Sequence, residues 1–233
     1  MEKSPLTHLA LIMDGNRRWA QQHRTTFLYD NGSKKAVQES ISFCLERKIA
    51  YLSLYVFSLE NLQNRDETTQ KRLFSLLRQT CEQDDGQLAQ EGVRVRFVGD
   101  RTLFPDELCD AIARLEETTK HGKRLTVHLL FCYGGQQELV AACKAIAQKV
   151  EQGELASSDV SRDVLAQHLW TGDIPHPDLL IRTGGAKRLS NFLLYQAAYS
   201  ELMFVEYYWP EMNRERLAAC IASYQGLTRN FGK

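Results

Sequence analysis

Three clusters of polar side chains stand directly after short apolar runs of the 233-residue chain. Asp14-Gly15-Asn16-Arg17-Arg18-Trp19 follows Leu9 to Met13, and Ser58-Leu59-Glu60-Asn61-Leu62-Gln63-Asn64-Arg65 follows Tyr51 to Phe57. Arg182-Thr183-Gly184-Gly185, then Arg188-Leu189-Ser190-Asn191, follow Leu179 to Ile181. Asp-Gly-Asn is ordinarily a turn. Here it leads into Arg17, Arg18, Trp19 and Ala20, which read as the opening of a helix. Free amides at a helix start, with two forked guanidinium groups beside them, suit a phosphate. A lone carboxylate there repels the anion unless it holds a divalent cation or moves a proton. Asp14 therefore reads as a Mg²⁺ ligand bridging to substrate, or as a plain helix cap. The second cluster reads as a capped loop or as a substrate loop. In the third, two glycines let backbone approach a ligand, while Arg182, Arg188 and Ser190 suit another phosphate. Glu201, the only acid between Asp178 and Glu206, is a metal ligand or an ion-pair partner of those arginines.

The elements that must position these clusters alternate. Leu9 to Met13, Tyr51 to Phe57, Val93 to Val98, Leu125 to Phe131 and Leu179 to Arg182 are short, apolar and partly β-branched, as strands are. Between them Val37, Ile41, Cys44 and Leu45 repeat at helical spacing, as do Leu139, Cys143, Ile146 and Val150, and Leu217, Ile221 and Tyr224. The alternation predicts a single α/β domain over residues 1–233, a largely parallel sheet covered by helices. Glu151 to Asp159 reads as an interhelical loop. In such sheets ligands lie beyond the carboxyl ends of the strands, where the three clusters fall.

Composition excludes several classes. Twenty-nine basic side chains balance 29 acidic ones, so no surplus of Lys and Arg is spread for a nucleic-acid backbone, and any anion site is local. The apolar stretch before Asp14 is too short for a signal peptide, and no apolar run reaches the ~20 residues of a membrane span. A cytosolic protein is expected. Six cysteines without a C-x-x-C pair predict buried thiols rather than a zinc cage or disulfides. G-x-x-x-x-G-K-[ST], G-x-G-x-x-G, G-x-S-x-G and H-E-x-x-H are all missing. The one aspartate pair, Asp84-Asp85, lacks a third acid three residues on, so the aspartate-rich metal motif of trans-prenyltransferases is absent. His128, inside an apolar strand, reads as a hydrogen-bonded core residue, and Trp170 and Trp209-Pro210 as packing.

Taken together, His8 to Ala20 closely resembles the opening signature of the cis-prenyltransferases, the family of undecaprenyl diphosphate synthase. The likeness continues through Phe57 to Asn61, Val98-Gly99-Asp100, Tyr133-Gly134-Gly135, Asp178 to Gly185, Arg188 to Phe192 and Ser200-Glu201-Leu202, ending near Arg229 and Phe231-Gly232. The resemblance implies a homodimeric, Mg²⁺-dependent enzyme that condenses isopentenyl diphosphate onto an allylic diphosphate such as farnesyl diphosphate. The product would be a longer cis-polyprenyl diphosphate such as undecaprenyl diphosphate. It implies that Asp14 is the catalytic aspartate and Mg²⁺ ligand, and that Gly15, Asn16, Arg17, Arg18 and Trp19 form the allylic-diphosphate loop. Ser58, Glu60 and Asn61 then flank the reacting carbons, Asn61 at the position assigned to proton acceptance, with Leu62 and Arg65 beside them. Arg182, Arg188, Leu189 and Ser190 match the isopentenyl-diphosphate site, and Glu201 a second Mg²⁺ ligand. Leu52, Leu54, Val56 and a helix over Asp66 to Leu88 are candidates for the walls of an apolar tunnel. A long product implies peripheral membrane contact for delivery.

Several positions depart from the family pattern. Where the family carries an Arg and then a Gly-His pair between the first two helices, Thr25 to Ser33 reads T-T-F-L-Y-D-N-G-S, with Arg24 or Lys34 as replacements. Leu62 stands for a tryptophan, Arg65 comes one residue late, Gln136 replaces an Arg, and Ala186-Lys187 replaces a Glu and a polar residue. These departures allow two alternatives: a relative with another primer or product length, or a catalytically silent subunit of a heteromeric enzyme.

Overall fold

The computed structural model describes residues 6–25, 31–84 and 86–227. Its elements in chain order are β1 (His8–Ile12), α1 (Asn16–Gln22), α2 (Asn31–Arg47), β2 (Tyr51–Ser58), α3 (Leu59–Gln63), α4 (Glu67–Glu82), α5 (Gln87–Gln90) and β3 (Val93–Val98). There follow α6 (Asp106–Thr119), β4 (Leu125–Tyr133), α7 (Gly135–Glu151), α8 (Arg162–His168), β5 (Leu179–Arg182), β6 (Glu201–Phe204) and α9 (Arg214–Gln225). All six strands are parallel and lie in the order β3-β4-β2-β1-β5-β6. The α/β, largely parallel expectation holds. Parallel strands need crossovers, and the helices that supply them cover the sheet, which is why the inner strands are largely apolar, while the edge strand β3 alternates Val with Arg.

β1 is buried along its whole length, and its side chains alternate between two cores. Leu9 and Leu11 join Leu52, Leu54, Phe43, Leu108 and Leu217 on one face, while Ala10 and Ile12 join Tyr55, Leu130, Leu180 and Phe192 on the other. The chain leaves β1 toward β2 on one side and returns to its other side only at β5. That reversal opens a crevice at the carboxyl ends of β1 and β5, the switch point where open parallel sheets bind ligands. The register sets Ile12 level with both Tyr55 and Arg182.

Three sequence expectations change. β6 adds a sixth strand that has no sequence signature, because Glu201-Leu202-Met203-Phe204 is only four residues long and has no β-branched member. The helix expected over Asp66 to Leu88 stops at Glu82, and after a break containing Gly86 at φ 93° the short α5 follows. Leu52 and Leu54 are fully buried core residues, so they fill the molecule rather than line a tunnel. Glu151 to Asp159 does connect two helices, with a 3₁₀ turn at Ser157–Asp159. No helix among the described residues is long and apolar enough to cross a membrane.

Candidate active site

Asp14 sits two residues past the end of β1, and its main chain is fixed on both sides. Its N–H donates to Thr183 Oγ1 at 3.0 Å, and its carbonyl accepts from Thr183 Oγ1 at 2.7 Å and from the Trp209 N–H at 2.9 Å. Trp209, read from sequence as packing, is thus a strut of the site. Gly15 turns the chain into α1 at φ 99°, and a Cβ there would lie 2.5 Å from Tyr208 Cδ1, so only glycine fits. The Asp14 carboxylate accepts from the Gly15 N–H at 2.6 Å and from Arg182 Nη2 at 2.8 Å, and it lies 3.5 Å from Arg18 Nη2.

Arg182, at the end of β5, is 4% exposed. Its Nη1 donates to the Arg188 carbonyl at 2.5 Å and to Ser190 Oγ at 2.7 Å, and its buried Nε has no partner. A buried guanidinium needs a counter-charge, and Asp14 supplies it. Arg182 therefore orients Asp14 and the Arg188–Ser190 turn at once. Ser190 and Asn191 both hold positive φ, 50° and 65°, as a turn this tight demands. Asn191 ties three loops together. Its Nδ2 donates to Glu60 Oε1 at 2.5 Å and to Gln137 Oε1 at 2.9 Å, its Oδ1 accepts from the Gln136 N–H at 2.8 Å, and its carbonyl accepts from the Gly135 N–H at 2.7 Å. Tyr55 Oη reaches the carbonyls of Tyr133 and Ser190, both at 3.2 Å.

Beneath this turn lies the fully buried carboxylate of Glu138. It accepts from Tyr133 Oη at 2.6 Å, from the Thr171 N–H and Oγ1 at 2.9 and 2.7 Å, and from Gln196 Nε2 at 2.9 Å. Four hydrogen bonds to one carboxylate rigidify the support of the site, while Gln196 Oε1 is left without a partner. Burial first, and then the Glu138 charge, push the Tyr133 hydroxyl well above the usual phenol range, so it stays a donor.

These groups surround a cavity of about 770 Å³. Asp14, Gly15, Asn16, Arg17, Arg18, Ser58, Glu60, Asn61, Arg65, Arg182, Arg188 and Ser190 all line it, so the fold brings twelve of the residues expected from sequence into one place. Four stand elsewhere. Trp19 stacks on His23 at 4.2 Å beside the opening, Leu62 is buried in the larger core, and Leu189 packs against the smaller one. Glu201 starts β6 level with Leu179, three residues before Arg182 and ~10 Å away along the strand. One chain alone does not bring Glu201 to Asp14. Neither Arg24 nor Lys34 lines the cavity; Lys34 faces a separate surface hollow with Lys35 and Arg214. Ser33 does line it and donates to Asn16 Oδ1 at 2.8 Å, while residues 26–30 of the altered loop lie outside the described residues, as do Arg229, Phe231 and Gly232.

Ser58 and Asp66 have the capping role their types predict: Ser58 Oγ accepts from the Asn61 N–H at 3.1 Å, and Asp66 Oδ1 from the Thr69 N–H at 2.9 Å. The capped loop and the cavity wall are thus the same segment. Met13, Val37, Val56, Phe57 and Leu73 give the cavity apolar lining beside its arginines, and the Arg65 guanidinium lies over the Phe57 ring at 5.4 Å. Tyr208, which no motif singled out, lies under Arg18 at 5.2 Å.

A cleft lined by both arginines and apolar side chains has the chemistry to meet a ligand that is part anion and part hydrocarbon. The chain belongs to the prenyltransferase family described as putative undecaprenyl diphosphate synthase, whose model matches residues 12–232. A relative from Xanthomonas oryzae, named ditrans,polycis-undecaprenyl-diphosphate synthase ((2E,6E)-farnesyl-diphosphate specific), is 39% identical over 97% of this chain and 87% of its own length. A Pyrococcus horikoshii relative, named tritrans,polycis-undecaprenyl-diphosphate synthase (geranylgeranyl-diphosphate specific), is 38% identical over 97% of this chain and 86% of its own. Among solved structures, lavandulyl diphosphate synthase from Lavandula x intermedia in complex with dimethylallyl diphosphate superposes with a TM-score of 0.91, at 31% identity and full coverage of both chains. A probable undecaprenyl diphosphate synthase from Campylobacter jejuni gives 0.80 at 33% identity, covering 98% of this chain and 99% of that one.

Proposed function

We propose that the protein is a cis-polyprenyl diphosphate synthase acting as one domain, joining isopentenyl diphosphate to an allylic diphosphate. The observation that carries this is Asp14, held by Arg182 at 2.8 Å in the wall of a cleft lined both by arginines and by Val37, Val56, Phe57 and Leu73.

In the reaction the allylic C–O bond breaks, its electron pair leaving with the diphosphate. The alkene of isopentenyl diphosphate supplies the pair for the new C–C bond, and a proton leaves the adjacent carbon. Arg17 and Arg18 line the cleft, and in this reading they meet the departing charge as it grows, which lowers the barrier more than binding the ground state would. Arg188, Ser190 and Asn61 line the same cleft; in this reading the first two hold the second diphosphate and Asn61 borders the reacting carbons. An amide is a weak base, so the proton passes to the departing diphosphate while Asn61 orients the alkene.

No three His, Cys, Asp or Glu side chains converge on a metal position among the described residues. Mg²⁺ is commonly held by one or two carboxylates plus substrate phosphates, so Asp14 alone is a fitting protein ligand for an ion shared with the diphosphate. When bound there, Mg²⁺ neutralises charge on the leaving diphosphate. The relatives named above are specific for farnesyl or geranylgeranyl diphosphate and a solved neighbour holds dimethylallyl diphosphate, so the test spans short and long primers.

A homodimer is supported by the open edge strand β6, beside which Tyr199 and Leu202 are exposed apolar side chains. Light scattering of the purified chain tests it. Cytosolic residence with peripheral membrane contact accords with the lack of a long apolar helix among the described residues, and liposome flotation tests that contact.

The reaction is tested with purified protein, Mg²⁺, labelled isopentenyl diphosphate and dimethylallyl, geranyl or farnesyl diphosphate, with and without chelator. Chelator-sensitive chain extension is expected. Asp14→Asn, with native circular dichroism, is expected to lower kcat by about a hundredfold or more. Undiminished turnover in that variant, or no extension from any primer, overturns the reading.

A further inference from the structure

α1 carries Arg17 and Arg18 into the cleft, yet it is seven residues long, buries only Ala20 and has no side-chain bond at its N-cap, Gly15. Isolated helices shorter than about 12 residues are marginal in water, so a helix this short takes its direction from what it rests on. Asn16 ties its first turn to the Met13 carbonyl and to Ser33. The remainder rests on Tyr208. A Cβ on Gly15 would meet Tyr208 Cδ1 at 2.5 Å, the Arg18 guanidinium lies over the Tyr208 ring at 5.2 Å, and Gln22 Nε2 donates to Tyr208 Oη at 3.3 Å. Positions 15, 18 and 22 follow the i, i+3, i+7 spacing of one helix face, so a single ring seats α1 from end to end.

The seat is itself fixed. The Tyr208 N–H donates to Glu211 Oε2 at 2.7 Å, and its carbonyl accepts from the Glu211 N–H at 3.0 Å. On either side the Tyr207 carbonyl accepts from the Gly184 N–H at 2.8 Å, and the Trp209 N–H donates to the Asp14 carbonyl at 2.9 Å. The segment 207–209 is thereby pinned to the chain just beyond both β1 and β5. A guanidinium held over a ring keeps its N–H donors for anions. Arg18 Nη2 lies 3.5 Å from Asp14 Oδ1, and a Cβ at Gly184 would stand 2.7 Å from the same nitrogen, so the glycine there, at φ 82°, leaves the guanidinium its place. The Arg18 side chain is 48% exposed. So exposed a side chain has many rotamers, and the ring favours those that keep it at the cleft.

We infer, on the prenyl-transfer reading above, that Tyr208 is a positioning residue for the allylic diphosphate. It does not line the cleft itself; it acts through Arg18, holding the guanidinium where the diphosphate binds and departs. Arg188 and Ser190 are set by Arg182 instead, so binding of isopentenyl diphosphate does not depend on this ring.

Steady-state kinetics of the full-length protein with Mg²⁺, isopentenyl diphosphate and whichever of dimethylallyl, geranyl and farnesyl diphosphate the wild type extends fastest test this. Tyr208→Leu keeps an apolar side chain under α1 and removes the ring, with Tyr208→Met as the second ring-free variant should the first fail to fold. It is expected to lower kcat/KM for the primer by about tenfold and to leave KM for isopentenyl diphosphate within about twofold of wild type. Tyr208→Phe loses only the Oη contact to Gln22 and is expected to recover all but about threefold of that loss. Arg18→Gln is then measured in both backgrounds, and its cost is expected to shrink by about fivefold or more in the ring-free one, because ring and guanidinium act as a unit. An equal cost of Arg18→Gln in the two backgrounds, KM values for both substrates rising together, or a ring-free variant as active as wild type would reduce Tyr208 to packing and overturn the inference while the transfer reading stands. No extension of any primer by the wild type overturns that reading, and the inference with it.

Discussion

Asn191 is the residue whose loss separates chemistry from folding most cleanly. Its side chain joins Glu60, Gln136 and Gln137, while its own backbone continues from Ser190, the hydroxyl that receives Arg182. Asn191→Asp keeps the shape and tolerates the positive φ, but sets a carboxylate against Glu60. A lost hydrogen bond to a charged group amounts to about 1.5–3 kcal/mol, so kcat/KM is expected to fall by roughly tenfold to a hundredfold. Adding Glu60→Gln reverses donor and acceptor, and steady-state kinetics of the double variant are expected to recover much of the loss. An unaffected single variant, or a double variant as poor as the single one, would remove Asn191 from the positioning of the site.

At the scale of elements, α7 illustrates how a helix divides its residues between core and water. Ala142 and Ile146 are buried, whereas Cys143, between them in sequence, is exposed together with Val140. The expectation of uniformly buried thiols therefore fails at this residue, since position 143 falls on the outer face of the helical repeat. Burial pushes the Cys44, Cys81 and Cys132 thiols up to about 12, which leaves almost no thiolate at neutral pH. Alkylation of the native protein followed by peptide mapping is expected to label Cys143 rapidly and those three only after unfolding. Early modification of Cys44, at 0% exposure, would contradict the packing of α2 against the sheet.

The whole molecule carries a built-in sensitivity to acid at the amino end of the sheet, opposite the cleft. His8 Nδ1 donates to the Pro175 carbonyl at 2.6 Å, its Nε2 lies 2.8 Å from Ser53 Oγ, and its ring is 6.3 Å from that of His128. His128 stacks on Tyr51, and its buried Nδ1 has no hydrogen-bond partner. Burial lowers His8 to about 4 against the pull of the Pro175 carbonyl and Asp178. Burial, then His8, Arg96 and Arg94, lowers His128 to about 3. Both groups bind protons more readily in the unfolded chain. Their stabilising effect is complete above pH 6.5 and is lost as pH falls toward 4 and 3. At pH 5 each accounts for a loss of about 2 kcal/mol relative to neutral pH. Urea unfolding at pH 7.5 and pH 5 is expected to register that loss, and His128→Phe to reduce it by about half. An equal loss in the variant would locate the acid sensitivity elsewhere.

Local sequence determined the strands at Val93–Val98 and Leu179–Arg182 to the residue: Val-Arg-Val-Arg-Phe-Val alternates, as an edge strand with one well-buried face does, and Leu-Leu-Ile is apolar throughout, as a strand covered on both faces is. It also placed Asp14, Glu60, Asn61, Arg182, Arg188 and Ser190 after strands, and strand ends are where this architecture binds ligands. Spacing along a chain carries no information about which strand ends become neighbours. Only the strand order brought β5 beside β1, so that Arg182 meets Asp14 across 168 positions and becomes a buried organiser of the site. The same order left Glu201 at the far end of β6, a strand too short to announce itself. Tertiary packing alone converted Trp209 into a strut for Asp14, Asn191 into the knot of three loops, and Tyr208 into the seat of Arg18. Contacts between segments far apart in sequence depend on the global arrangement of the sheet, and a local pattern of residue types cannot encode that arrangement.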